Sequence, residues 1–494
     1  MMAAEAAIGG KTCSFKSQND FWTTEIGGLG YGKLGTEVTR MLYQCEPPFA
    51  FAISGGWGSG KSSFLRYLMA ITGGRLLEMD PEKILTQTKA AKGIPAQTLA
   101  DWETLQKRFG PTGGLHAELP AIQLPSVWFN PWQHQFESHP FHALLHEIYN
   151  QFSAMAKAGQ TIKKLGTVTL NSGLTMLREA FKTVIPDHRE IMKHGKEYEE
   201  RSFLSALDSQ RFPLYFEQAA RHLASCYHEK GQARDKPRDD ARMLIFIDDL
   251  DRCQPKQAFE LLQGIKLYLN TPHCVFVFAV DYRRLVRELA RSISDFSVFK
   301  DHAEAHAADY LDKMFQASIR LPLPTKEVFK DFIQTCFTYK CCGDCVDLLA
   351  RILEPNPRKT KNFINSLYLH MKMRDEVDCR NVILMHYLRL YYRNIYTVIE
   401  TDPKLAVVDL GSALESKSTK NRVNYMRHLF QNDLAADQLL AEADTSVYDF
   451  SSDQLMSYHM QSDVYKAREE FLKELKTAIA NEQFTQTALE SLLK

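Results

Sequence analysis

The sequence predicts an α/β fold, with a parallel-type sheet flanked by helices, followed by an α-helical C-terminal region. Three observations carry this expectation. The short apolar runs "FAFAIS", "LIFI" and "CVFVFAV" have the length and the aromatic and β-branched content of strands buried on both faces. Helical patterns alternate with these strands, as in right-handed strand–helix–strand units. Beyond about residue 325 the patterns are helical alone.

Composition narrows the class. At 494 residues the chain has room for two or three domains and a large core. Its 60 basic and 60 acidic residues cancel. The balance offers no general attraction to nucleic acid or to acidic membranes, and leaves only local basic patches for such contacts. A hydrophobic share of 45% belongs to a globular chain. The opening "MMAAEAAIGGKTCSF" lacks the pattern of a secretory signal. No run reaches the roughly 18 apolar residues of a membrane span. Ten cysteines without even spacing read as reduced thiols. Together these features point to the cytoplasm.

Taken in order, Phe49 to Ser54 form a strand, a glycine-rich turn follows, and Phe64, Leu65, Leu68 and Met69 make a helical stripe. Residues 73–120 are mixed and polar, broken by "GG" and "GPTGG", and read as an insertion. A second strand ends at "VWFN", before Pro131 and a helix from about Phe141 to Phe152. Residues 155–240 are mostly helical in pattern and close on the charged loop "KGQARDKPRDDAR". The strand in "MLIFIDDLDRCQP" comes next, then the helix "PKQAFELLQGIKLYLN" with Pro255 just before its start. "CVFVFAVD" is a further buried strand, and "FQASIRLPLP" reads as one more, stopped by prolines.

The chemistry is concentrated in two places. Gly55-Gly56-Trp57-Gly58-Ser59-Gly60-Lys61-Ser62, running on into Ser63, fits G-x-x-x-x-G-K-[ST] at every fixed position. Its glycines let backbone N–H groups close around phosphate oxygens, and the helix starting near Gly60 adds its positive end. Lys61 is expected to reach the β- and γ-phosphates of ATP, and the Ser62 hydroxyl to ligate Mg2+. The second place is the strand end that carries Asp248, Asp249 and Asp251. Three acids in four positions at a buried strand end need a cation. Asp248 is expected in the magnesium shell opposite Ser62. Asp249 is next in line to act as base or to position the attacking water, and Asp251 competes for that role. Arg252 either pairs with these acids or touches a γ-phosphate. Asp281 ends the next buried strand, where a residue sensing the γ-phosphate would stand, and is equally placed to cap the helix in "DYRRLVREL".

The segments "FAISGGWGSGKSSFL", "VWFNPWQH", "LIFIDDLDRCQP", "FVFAVD", "YLDKMFQASIRLPLP" and "NPRKTKNFIN" occur in the order seen in KAP family P-loop NTPases. The chain resembles that family over about residues 20–370. The resemblance implies an extra strand between the phosphate-loop strand and the acidic strand. It also implies a helical lid in which Arg358 approaches the nucleotide from the side. The organisation expected is a P-loop domain over 1–325 with insertions at about 73–120 and 155–240, a lid over 326–375, and a helical region over 376–494. Many family members carry transmembrane helices that this sequence lacks.

Other clusters read as structure. Cys336, Cys341, Cys342 and Cys345 lack the second separated pair usual in a zinc site. His134, His139, His142 and His146 have no accompanying acid in a metal-binding arrangement. Trp128 and Trp132 are expected to pack. "MHYLRLYYRNIYTVI" is too apolar for a free surface helix and reads as core, with a partner-binding face as the alternative. The function expected is a Mg2+-dependent, ATP-hydrolysing switch or remodelling subunit working with protein partners, or as a homo-oligomer. The resemblance adds a bacterial anti-phage setting. A nucleotide-dependent scaffold with little hydrolysis is the alternative, and a P-loop kinase a weaker one.

Overall fold

A computed structural model describes residues 29–72, 124–136, 139–158, 167–184, 211–226, 237–268, 270–294, 303–337, 343–372, 378–415, 427–429 and 463–481. The stretches read from sequence as the 73–120 insertion and the charged loop before the acidic strand lie wholly or mostly outside these residues. The chain divides into two compact units, one of them spanning Tyr31–Pro322 and the other taking in the described residues from Leu323 onward.

The first unit is built on five parallel strands: β1 (Phe49–Ser54), β2 (Ser126–Phe129), β3 (Met243–Ile247), β4 (Cys274–Val280) and β5 (Ala317–Arg320). Their order across the sheet is β2-β3-β4-β1-β5. β3 and β4 are buried along their whole length and β1 at its four central residues, which explains their lack of polar alternation. β4 lies between β1 and β3, which is the extra strand implied by the resemblance, and the short run before the prolines is the edge strand β5. Because all pairings are parallel, the C-terminal ends of the strands gather along one edge, the usual place for a ligand in an open α/β sheet.

Helices cover the sheet. α1 (Gly32–Gln44) precedes β1, and α2 (Lys61–Ile71) follows it. α2 is buried from Phe64 to Ile71, as expected of a helix apolar on nearly every side. α1 packs on it closely enough that a Cβ at Gly35 would sit 2.2 Å from the Tyr67 ring, so the crossing requires glycine there. α3 (Pro140–Ala158), α4 (Thr167–Val184) and α5 (Arg211–Ala224) follow β2. Phe141, Phe152, Leu170, Phe212 and Phe216 join one core with the sheet. After β3 come α6 (Pro255–Tyr268), β4, α7 (Tyr282–Ser294), α8 (Ala303–Met314) and β5.

The second unit is helical: α9 (Lys326–Cys336), α10 (Gly343–Ile352), α11 (Pro357–Lys372), α12 (Cys379–Tyr391), α13 (Arg393–Thr401), α14 (Pro403–Glu415) and α15 (Asp463–Ala480). The aromatic run read as core is core in part, with Tyr387 and Tyr392 buried and Leu390 exposed. Tyr387 stacks on Phe471 at 4.0 Å between ring centroids, and Tyr392 faces the same ring at 5.6 Å. The buried Arg468 guanidinium lies 3.9 Å from the centre of the Tyr391 ring. Among the described residues no helix is long and apolar enough to cross a membrane.

Candidate functional site

The site is assembled at the strand ends of the first unit. The turn after β1 is bent by two glycines in the left-handed region, Gly58 at φ +79° and Gly60 at φ +93°. A side chain at either would strain the turn. Ser59 N donates to Gly56 O at 3.2 Å, and the Tyr31 hydroxyl donates to Ser59 O at 3.3 Å, anchoring the turn from α1. Lys61 opens α2 and its Nζ donates to the carbonyls of Gly55, at 2.8 Å, and Gly56, at 3.2 Å. The ammonium thus lies inside its own loop, where a phosphate would replace those carbonyls. Trp57 points outward, 63% exposed.

The register explains what faces this loop. Phe129 pairs with Ile247 and Ile247 with Phe278, so Asn130, Asp248 and the last residues of β4 lie side by side. Asp248 is buried, and the Ser62 hydroxyl hydrogen-bonds its carboxylate. Burial and the charge of Asp249 push its pKa up to about 6, against the opposing Ser62 hydrogen bond and the Arg66 charge. Arg66, itself buried in α2, lies 3.5 Å over the Trp128 ring. Burial lowers its pKa to about 9, against the pull of Asp248. A buried acid beside a hydroxyl is a hard oxygen pair that suits Mg2+, which binds through one or two such ligands and substrate phosphates.

The two remaining acids of the strand end differ. Asp251 is buried; its pKa is raised by burial, with Asp281 and Asp249 adding and the Lys61 charge opposing. Asp249 holds its backbone at φ +57° and is doubly bonded, to Arg252 Nε at 2.9 Å and to Asn130 Nδ2 at 3.1 Å. Arg252 therefore pairs with an acid, one of its two expected roles. Asp281 Oδ1 accepts from Arg284 N at 3.3 Å, the capping contact foreseen, while its charge reaches Asp251. Of the two tryptophans, Trp128 stacks on Phe246, but Trp132 is 42% exposed and does not pack as expected.

Lys61, Ser62, Asp248, Asp249, Asp251 and Asp281 are thus brought to one edge. Arg358 is in the other unit, at the first turn of α11, where the Asn356 side chain caps Lys359 N at 3.2 Å. Cys336 and Cys345 are buried, and Cys341 and Cys342 fall outside the described residues. No group of three or more histidines, cysteines or acids among the described residues is arranged to hold a metal. Sequence reasoning gave no role to Tyr31, Arg66 or Asn130. Arg66 carried a signal, a charge inside the apolar helix "FLRYLMAI".

Fold and loop together define a nucleotide-binding P-loop domain. The chain belongs to the KAP family: the KAP family P-loop domain matches residues 35–374, from α1 to just past α11. No curated protein matches the chain.

Proposed function

We propose that this chain is a Mg2+-dependent ATPase that serves as a switch or remodelling subunit. The observation that supports this best is the meeting of Ser62 with Asp248 beside Lys61 and Asp251. Ser62 and Asp248 would hold Mg2+, which when bound neutralises charge on the β- and γ-phosphate oxygens. The loop N–H groups and Lys61 bind the triphosphate, Lys61 exchanging its own loop carbonyls for phosphate. Asp251, desolvated and facing Lys61, orients the attacking water and accepts its proton. Asp281 holds the start of α7 in register with that acid. Arg358 keeps, as a proposal, the lid role that resemblance to the family implies.

Resemblance to the family supports a place among protein partners in an antiviral system, with the helical region carrying the change to those partners. A second reading, a scaffold that binds ATP and scarcely hydrolyses it, is favoured by one observation. Both oxygens of Asp249 are already engaged. Steady-state phosphate release separates the two. Hydrolysis in wild type, abolished in Lys61→Ala and in Asp251→Asn with the latter still binding ATP, supports the ATPase. Binding without turnover in wild type supports the scaffold.

A further inference from the structure

Asp249 follows the metal acid directly and would be the first choice for a base, yet its carboxylate is occupied. Oδ1 takes Arg252 Nε at 2.9 Å, and Oδ2 accepts from Asn130 Nδ2 at 3.1 Å. With both oxygens bonded to neighbouring segments, this carboxylate is placed as a tie within the protein. Its backbone is unusual too. At φ +57° and ψ +26° it lies in the left-handed region, which a non-glycine residue keeps only where its surroundings hold it there.

What those two bonds hold is the following turn. Leu250–Arg252 form one turn of 3-10 helix, with Leu250 fully buried beneath it and Asp251 in its middle. The direction of the Asp251 side chain therefore depends on the conformation at Asp249. Asn130 works from the neighbouring strand, and its own Oδ1 accepts from Trp132 N at 3.1 Å, capping the turn Pro131–His134. The same side chain thus ties the end of β2 to the end of β3. Arg252 is braced on its outer side by Trp132, whose ring centre lies 5.5 Å from the guanidinium carbon.

We propose that Asn130 and Arg252 are positioning residues. Through Asp249 they fix the turn that directs Asp251 toward the nucleotide, and neither they nor Asp249 exchanges a proton with substrate. This rests on the hydrolytic reading above, in which Asp251 orients the water.

The test compares phosphate release, and binding of a slowly hydrolysed ATP analogue with Mg2+, in wild type, Asp251→Asn, Asp249→Asn, Asp249→Ala, Asn130→Ala and Arg252→Ala. Asparagine at 249 tolerates the left-handed region and keeps an acceptor for one partner. Asp249→Asn, Asn130→Ala and Arg252→Ala should each lose about 3- to 10-fold in kcat. Asp249→Ala should lose on the order of 100-fold, the scale of a misdirected catalytic group. KM and analogue affinity should stay near wild type in all four. If Asp249→Asn is as inactive as Asp249→Ala, Asp249 is itself the base and the inference is wrong. A loss of analogue affinity confined to Arg252→Ala would put Arg252 on the phosphates and overturn it as well, as would unchanged kcat in Asp249→Ala. Wild type without turnover would instead remove the hydrolytic reading, and the positioning role with it.

Discussion

The Ser62 hydroxyl hydrogen-bonds the Asp248 carboxylate, joining the phosphate loop to the acidic strand although β4 separates β1 from β3. The contact is made above the sheet by the first turn of α2. It sets a stabilising bond against an ionised group with little access to water.

Asp248 should therefore reduce stability while it serves the site. Its raised pKa means that the folded protein disfavours the charged carboxylate, so stability in the absence of nucleotide falls as pH rises from about 4 to about 6. Asp248→Asn should stabilise the nucleotide-free protein by about 1–3 kcal/mol at pH 7. It should also abolish Mg2+-dependent nucleotide binding. Urea unfolding curves and analogue titrations measure both; a destabilised Asp248→Asn would show that the carboxylate is a structural necessity.

Lys61→Ala should lose nucleotide affinity by about 100-fold or more, the order of several lost charge-assisted bonds. Its melting temperature should stay within about 2 °C of wild type, because the hydrogen bonds of Lys61 go to the carbonyls of Gly55 and Gly56 in a turn that water can reach. A nucleotide-free Lys61→Ala that fails to fold would contradict the assignment.

Trp57 is 63% exposed on the phosphate loop, so its fluorescence should respond when a triphosphate reorders the loop. The change should saturate with nucleotide concentration and vanish in Trp57→Phe. A full response in Trp57→Phe would locate the reporter at another of the five tryptophans.

In the helical unit, His386 Nε2 lies 2.8 Å from the Ser366 hydroxyl. Burial, aided by the charges of His370 and Arg389, lowers its pKa from 6.5 to about 3. The unfolded chain takes up a proton near pH 6.5 and the folded one does not, so acid favours unfolding. Below pH 6.5 this residue should cost up to about 1.4 kcal/mol of stability per pH unit. His386→Gln should flatten that slope in denaturation curves at pH 5.5 and 7.5; an identical slope would assign the acid sensitivity elsewhere.

Much of this site could be read from one dimension. The phosphate loop was legible because its glycines, Lys61 and Ser62 follow one another, each with a local reason. The buried strands were legible because unbroken apolar runs such as Cys274–Val280 have few alternatives. Asn130 was not: nothing beside it in the chain says that it reaches Asp249. Trp132 misled because a tryptophan near a strand end usually packs, whereas here the turn capped by Asn130 carries it outward.

The division has a physical basis. Local order determined the phosphate-binding turn, the apolar strands and the presence of acids at a strand end, since each depends on residues within a few positions. Only the folded sheet decided which acid is tied and which is left facing Lys61. That choice depends on the lateral register of β2 and β3 and on the left-handed conformation of one aspartate, both set by contacts between distant segments.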